Sequence, residues 1–132
     1  MIDPANVPEV ATNEMLARYV LHSSHIRSDQ TVRQNAFVPH PYPNLSATRH
    51  LSATETELWT VGENVAAASG KTLYGRGDVS TTACLAQRLT VQASPTPNNP
   101  NHADVSAWPA DKPAQKIIAL EIAAAAKFVP KP

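Results

Sequence analysis

Between residues 17 and 50 the chain places four arginines (Arg18, Arg27, Arg33, Arg49) and four histidines (His22, His25, His40, His50) against a single acid, Asp29. A guanidinium presents a planar fork of donors that suits phosphate or carboxylate, and an imidazole changes charge near neutral pH. The whole chain balances eleven Lys and Arg against eleven Asp and Glu. A chain so balanced is not built to coat nucleic acid or an acidic membrane, so any anion binding is local. Arg27, Arg33, Arg49, His50 and, further along, Arg76 are the side chains expected to form an anion-binding face. The same segment also reads as a solvated basic surface, balanced by the acidic helix that follows through pairs such as Arg49 with Glu55 or Glu57.

Hydrolysis or group transfer needs a base, an acid or nucleophile, and a means of stabilising charge. His25, His50 and His102 are available as bases, with Arg27, Arg49, Arg76 or Lys112 to steady a phosphate. Ser23, Ser24 and Cys84 are available as nucleophiles. No GxSxG or comparable frame singles one out, so no catalytic residue is assigned. A metal is not expected: His22 and His25, three apart, fall on opposite faces if the strand expected there runs through both, and neither HExxH nor paired cysteines occur. No cofactor is expected either.

Two short strings look informative and are not. Gly70-Lys71-Thr72 resembles the end of a phosphate loop, but the glycine required five residues earlier is Val65. The tripeptide instead closes a helix, with Lys71 near the negative end of its dipole. Arg76-Gly77-Asp78 spells an adhesion tripeptide, and a tight Gly-Asp turn between strands explains the same letters. Asn44-Leu45-Ser46 matches a glycosylation sequon, for which no secretory signal gives a context.

Two helices must carry much of the scaffold. Ser52 and Glu55 have capping-box spacing ahead of Leu58, Val61 and Val65, which sets a helix over about 53–68 with Gly70 beyond its end. Asp111 and Pro113 open a second over about 112–128, apolar nearly all round, whose four alanines at 123–126 admit close packing in the core or against a second subunit. Strands are expected at 17–23, 45–51, 72–75, 88–93 and 103–108, with a brief helix over 80–87. The strand ending at Trp108 meets the N-terminus of the last helix, an anion-attracting arrangement that Lys112 could assist, although Asp111 itself can fill that cap. Prolines at 39, 41 and 43, and at 95, 97 and 100, mark two loops. The pattern implies one α+β domain over 1–132, with a mainly antiparallel sheet and residues 1–13 as a loose or ordered arm. Trp108, Leu58, Val61, Val65, Ile117, Ile118 and Ile122 are the expected core.

LARYVLHSSHIR (16–27) resembles the opening of RNA 2′-phosphotransferases, where an Arg-His pair follows a similar apolar run. Leu21-His22 stands in place of that pair and the later motifs of that family do not follow, so its catalytic residues do not carry over. AFVPHPYPNLSATRHL (36–51), LYGRGDV (73–79) and NPNHADVSAWPADKPAQ (99–115) resemble recurrent blocks of small bacterial proteins of unassigned function. That resemblance implies a bacterial, cytosolic, free-standing domain and supplies no activity. A single cysteine, Cys84, agrees with a reducing compartment, and no window reaches the roughly 18 apolar residues of a membrane span. The expected function is a binding or assembly module working through a protein partner or self-association. A phosphate, nucleotide or nucleic-acid site in the 17–50 segment is the alternative, and a histidine-based phosphodiesterase or transferase is a third.

Overall fold

The computed structural model describes residues Met1–Pro132. Six strands, β1 (Met15–Val20), β2 (Leu45–Arg49), β3 (Gly75–Ser80), β4 (Thr90–Ala93), β5 (His102–Ser106) and β6 (Lys127–Pro130), alternate with three helices, α1 (Glu55–Ala68), α2 (Thr81–Ala86) and α3 (Lys112–Ala125). The strands form one sheet in the order β4-β5-β2-β1-β3-β6, antiparallel at every step. This is the α+β architecture that the residue pattern implies.

Alternation along β1 assigns the two faces of the sheet. Leu16 and Val20 join the main core with Phe37, Val105, Cys84 of α2 and Ile122 of α3. Tyr19 points the other way, into a smaller cluster with Leu73 and with Val61 and Ala66 of α1. Helices α2 and α3 therefore cover one face and α1 covers the other. Burial of each large aliphatic side chain here is worth about 2 kcal/mol. Of the expected core, Leu58, Val61 and Ile122 are buried, and Trp108 and Ile118 pack against the core at its margin. Val65 and Ile117 do not belong to it: they are 41% and 69% exposed, because only one stripe of each helix meets the sheet.

Several local expectations change. The cap of α1 is Thr54, not Ser52: its hydroxyl accepts from Glu57 N and the Glu57 carboxylate accepts from Thr54 N, so the box is shifted by two residues. Ser52 sits in a turn at φ 58. Helix α1 ends as expected, with Gly70 at φ 64 and Lys71 N donating to Ala66 O. Helix α3 opens on Asp111, which accepts from Ala114 N, but it stops at Ala125 because Lys127–Pro130 leave it to pair with β3. Residues 72–74 are a connection rather than a strand, and Arg76-Gly77-Asp78 is not a turn but the middle of β3. Its glycines serve close approach: a Cβ on Gly75 would stand 2.5 Å from Val129 O, and one on Gly77 would stand 2.9 Å from the Phe37 ring.

The N-terminal residues are an ordered arm. Ile2 is buried, and its N–H donates to Oδ1 of Asn101, whose Nδ2 donates to the carbonyls of Arg49 and Leu51. One fully buried carboxamide thus joins the arm, the end of β2 and the start of β5. Asn101→Ala would orphan all three backbone groups and should cost about 3 kcal/mol. Equilibrium urea unfolding measures it, with a lowered midpoint expected at an unchanged slope.

Candidate anion-binding site

Of the five side chains expected to form one basic face, the structure brings only His50 and Arg76 to a shared partner, Asp78. Arg49 is fully buried. Its Nε and Nη2 donate to the two carboxylate oxygens of Glu14 at 2.7 and 2.8 Å, Nη1 donates to Pro8 O, and Nη2 also reaches Glu9 O. Burial alone would raise the Glu14 pKa, but the Arg49 hydrogen bonds and Ala11 N–H outweigh it and hold the carboxyl below the usual range. The partner of Arg49 is therefore Glu14, neither Glu55 nor Glu57, and the pair straps the arm to the sheet. Arg76 donates to both oxygens of Glu55 and to Asp78, which also accepts from His50 Nε2 at 3.1 Å, and its guanidinium lies 4.7 Å from the Trp59 ring centroid. Arg49 and Arg76 are thus neutralised by carboxylates, His50 is hydrogen-bonded to one, and none of the three lines the cleft between β1 and β2. Arg27 folds back onto its own loop at Val32 O, and Arg33 stands exposed.

The cationic groups that do converge are different ones. Strands β1 and β2 share only two register pairs, Leu16 with Arg49 and Ala17 with Thr48, and then part. Beyond the last pair a cleft of about 420 Å³ opens. Its walls include Arg18 from β1, Ser46 and Thr48 from β2, His102 from β5, Val65 from α1 and Lys71 from the turn after it. His22, His25 and His40 complete it from the loops that follow β1 and lead to β2. No Asp or Glu lines it.

Arg18 spans the gap. Its Nε donates to Ala36 O at 2.8 Å and its Nη1 to Ser46 O at 3.0 Å, so the side chain satisfies a β2 carbonyl where the strand ladder has stopped. Carboxylates pair with Arg49, Arg76, His50 and Lys131, and with the terminal amine, but none pairs with Arg18. Burial lowers its pKa to about 10. His22 and His25 lie with ring centroids 4.7 Å apart, because residues 23–25 form a 3-10 turn rather than continuing the strand. Expecting them on opposite strand faces was incorrect for that reason. Burial first, then the charges of His22, Arg18 and Lys71, holds the His25 imidazole below its ordinary 6.5.

His102 is held differently. Its Nδ1 lies 2.9 Å from Ser94 O, and a carbonyl only accepts, so Nδ1 carries the proton and the neutral ring keeps Nε2 as its base. The cleft therefore gathers donors of the kind that suit an anion, with Nε2 of His102 left as an acceptor in the neutral ring. Cys84 takes no part: it is buried in the core, and burial pushes its thiol pKa up to about 11. No three His, Cys, Asp or Glu side chains come together as a metal-binding group. Compared with known proteins, the chain matches no family model, no curated protein and no solved structure.

The 17–50 segment supplies most of this site, but through Arg18, His22, His25 and His40. The signal for Arg18 is its parity: in LARYV it falls in step with Leu16 and Val20, on positions that the strand turns inward. Lys71 and His102 arrive from distant segments and carry no comparable signal. Since His25 binds its proton more weakly in the folded chain than in an unfolded one, the unfolded state takes up that proton first. Stability should fall as pH drops below about 6.5. Urea midpoints across that range are the check, with His25→Gln expected to flatten the step.

Proposed function

We propose that the chain binds a small phosphate-bearing ligand in the cleft between β1 and β2. The observation that carries this reading is Arg18, a half-buried guanidinium with no carboxylate partner, on a cleft that also has four histidines and a lysine on its walls and no acid. Arg18, Lys71 and the imidazoles line a partly solvated cleft without a counter-charge, and an anion is the complement to that set of donors. Elsewhere the chain pairs its inward arginines with carboxylates, as at Arg49 and Arg76, so the vacancy at Arg18 is local rather than general.

Sulfate is a useful probe because its charge does not change across the histidine range. Calorimetric titration should show sulfate and phosphate binding that strengthens as pH falls from about 8 to about 6, since a bound anion favours protonated His25. Arg18→Gln should weaken it tenfold or more, the loss expected for a charge-assisted hydrogen bond of about 1.5–3 kcal/mol. Lys71→Gln, at an exposed position that cannot unfold the core, should weaken it less, and Arg33→Gln not at all. Unchanged affinity in both Arg18→Gln and Lys71→Gln defeats the proposal.

Assembly through protein contacts has separate support on α3. Ile117 and Leu120, three residues apart on its outer face, are 69% and 47% exposed, while Ala119 and Ile122 face the core. A patch of this kind favours contact with a second apolar surface. Sedimentation velocity over a range of concentrations should show self-association that Ile117→Lys abolishes; a wild-type chain that stays monomeric throughout removes this second reading.

A further inference from the structure

The cleft does not end at its cationic wall. A second cavity of about 450 Å³ adjoins it, and the two share Arg18, Pro39, Tyr42, Ser46 and Val65. Away from Arg18 the second chamber changes character: Pro43, Asn44 and Leu45 line it, and no histidine or lysine does. Each chamber alone falls within the range of about 300–1,000 Å³ that small-molecule sites occupy.

Tyr42 stands at the junction and is 71% exposed, more than any other exposed large apolar side chain in the chain. The loop that presents it is stiff. Pro39, Pro41 and Pro43 restrict the backbone on both sides, and Tyr42 N donates to Pro39 O at 3.0 Å across a turn. A rigid loop that holds an aromatic ring in solvent, between an anion-seeking wall and a less polar chamber, offers one face for stacking. Tyr42 lies on the walls of both chambers, so a ligand held there meets the ring and Arg18 together.

We infer that the phosphate-bearing ligand is a nucleotide, its phosphate held by Arg18 and the histidines and its base stacked on Tyr42. The inference rests on the anion reading above and adds the chemical class of the rest of the ligand. An aliphatic phosphate would use the cationic wall and leave the ring without a partner. A base uses both, and stacking on an aromatic side chain tolerates every base because each has a π face. The nucleotide is either free or one unit of a single strand, since both present the same phosphate and ring.

Titration of the intact chain with inorganic phosphate, the ribonucleoside 5′-monophosphates and a short single-stranded oligonucleotide tests this. At least one mononucleotide should bind about tenfold or more tightly than phosphate. Tyr42→Ala should bring nucleotide affinity down to that of phosphate in the same variant, and Tyr42→Phe should keep the difference. Tyr42 is at the surface, so neither variant threatens folding. Nucleotides that bind no better than phosphate, or an advantage that survives Tyr42→Ala, overturn the inference and leave the anion reading standing. Loss of phosphate and nucleotide binding alike overturns both. Tighter binding of the oligonucleotide, with a steep salt dependence, identifies a single strand as the source, and tighter binding of the mononucleotide identifies the free ligand.

Discussion

Strands β1 and β2 keep only two register pairs before they separate, and the Arg18 guanidinium occupies the gap they leave. A sheet cannot open at its middle without cost, because the backbone groups released there lose their partners. Arg18 restores one of those bonds at Ser46 O, is anchored by a second bond to Ala36 O of the preceding loop, and in doing so brings a positive charge to the lining of the opening. The same side chain therefore supports the parted strands and gives the cleft its sign. Flanking strands hold the two halves: β3 pairs with β1 along its whole length, and β5 pairs with β2 from Leu45 to Thr48.

Charge pairing elsewhere sharpens the contrast. Arg49 is closed off by Glu14 and by carbonyls of the arm, and Arg76 is gripped by Glu55 and Asp78 beneath Trp59. These are structural contacts. The buried Arg49–Glu14 pair contributes little against a well-packed apolar alternative, yet removing one partner leaves an uncompensated charge at a cost of about 3–5 kcal/mol. Both networks fix position, the first tying the arm to the sheet and the second tying α1 to β3. The acids drawn into them are acids kept away from the cleft.

How much was legible in the sequence depends on the range over which each signal acts. Helix periodicity and the caps at Asp111 and Gly70 are local, and they located α1 and α3 to within a few residues. Antiparallel strands bounded by proline loops were legible for the same reason. The failures came where one sequence fits two geometries. Gly77 looked like a turn residue, but the space it leaves is taken by the Phe37 ring. Ile117 looked like core because its helix is apolar nearly all round, and only the placement of the sheet decides which stripe is covered. Basic residues of 17–50 were correctly seen as an unbalanced group, but choosing among them required knowing which acids fold against which arginines. Glu14 is 35 residues from Arg49, and nothing in the local pattern joins them. Lys71 and His102 reach the cleft only through the topology.

Tyr19 ties the contour of the cleft to the packing of α1 against the sheet. Its ring lies on the cleft wall and packs against α1, where a Cβ added to Gly62 would stand 2.7 Å from it, and its hydroxyl donates to Leu58 O. The absence of a side chain at Gly62 is thus what seats the ring. A methyl group introduced at Gly62 would displace that ring and, with it, part of the cleft wall. Contour of the cleft and seating of α1 are a single adjustable property, and natural or laboratory variation at one is inherited by the other.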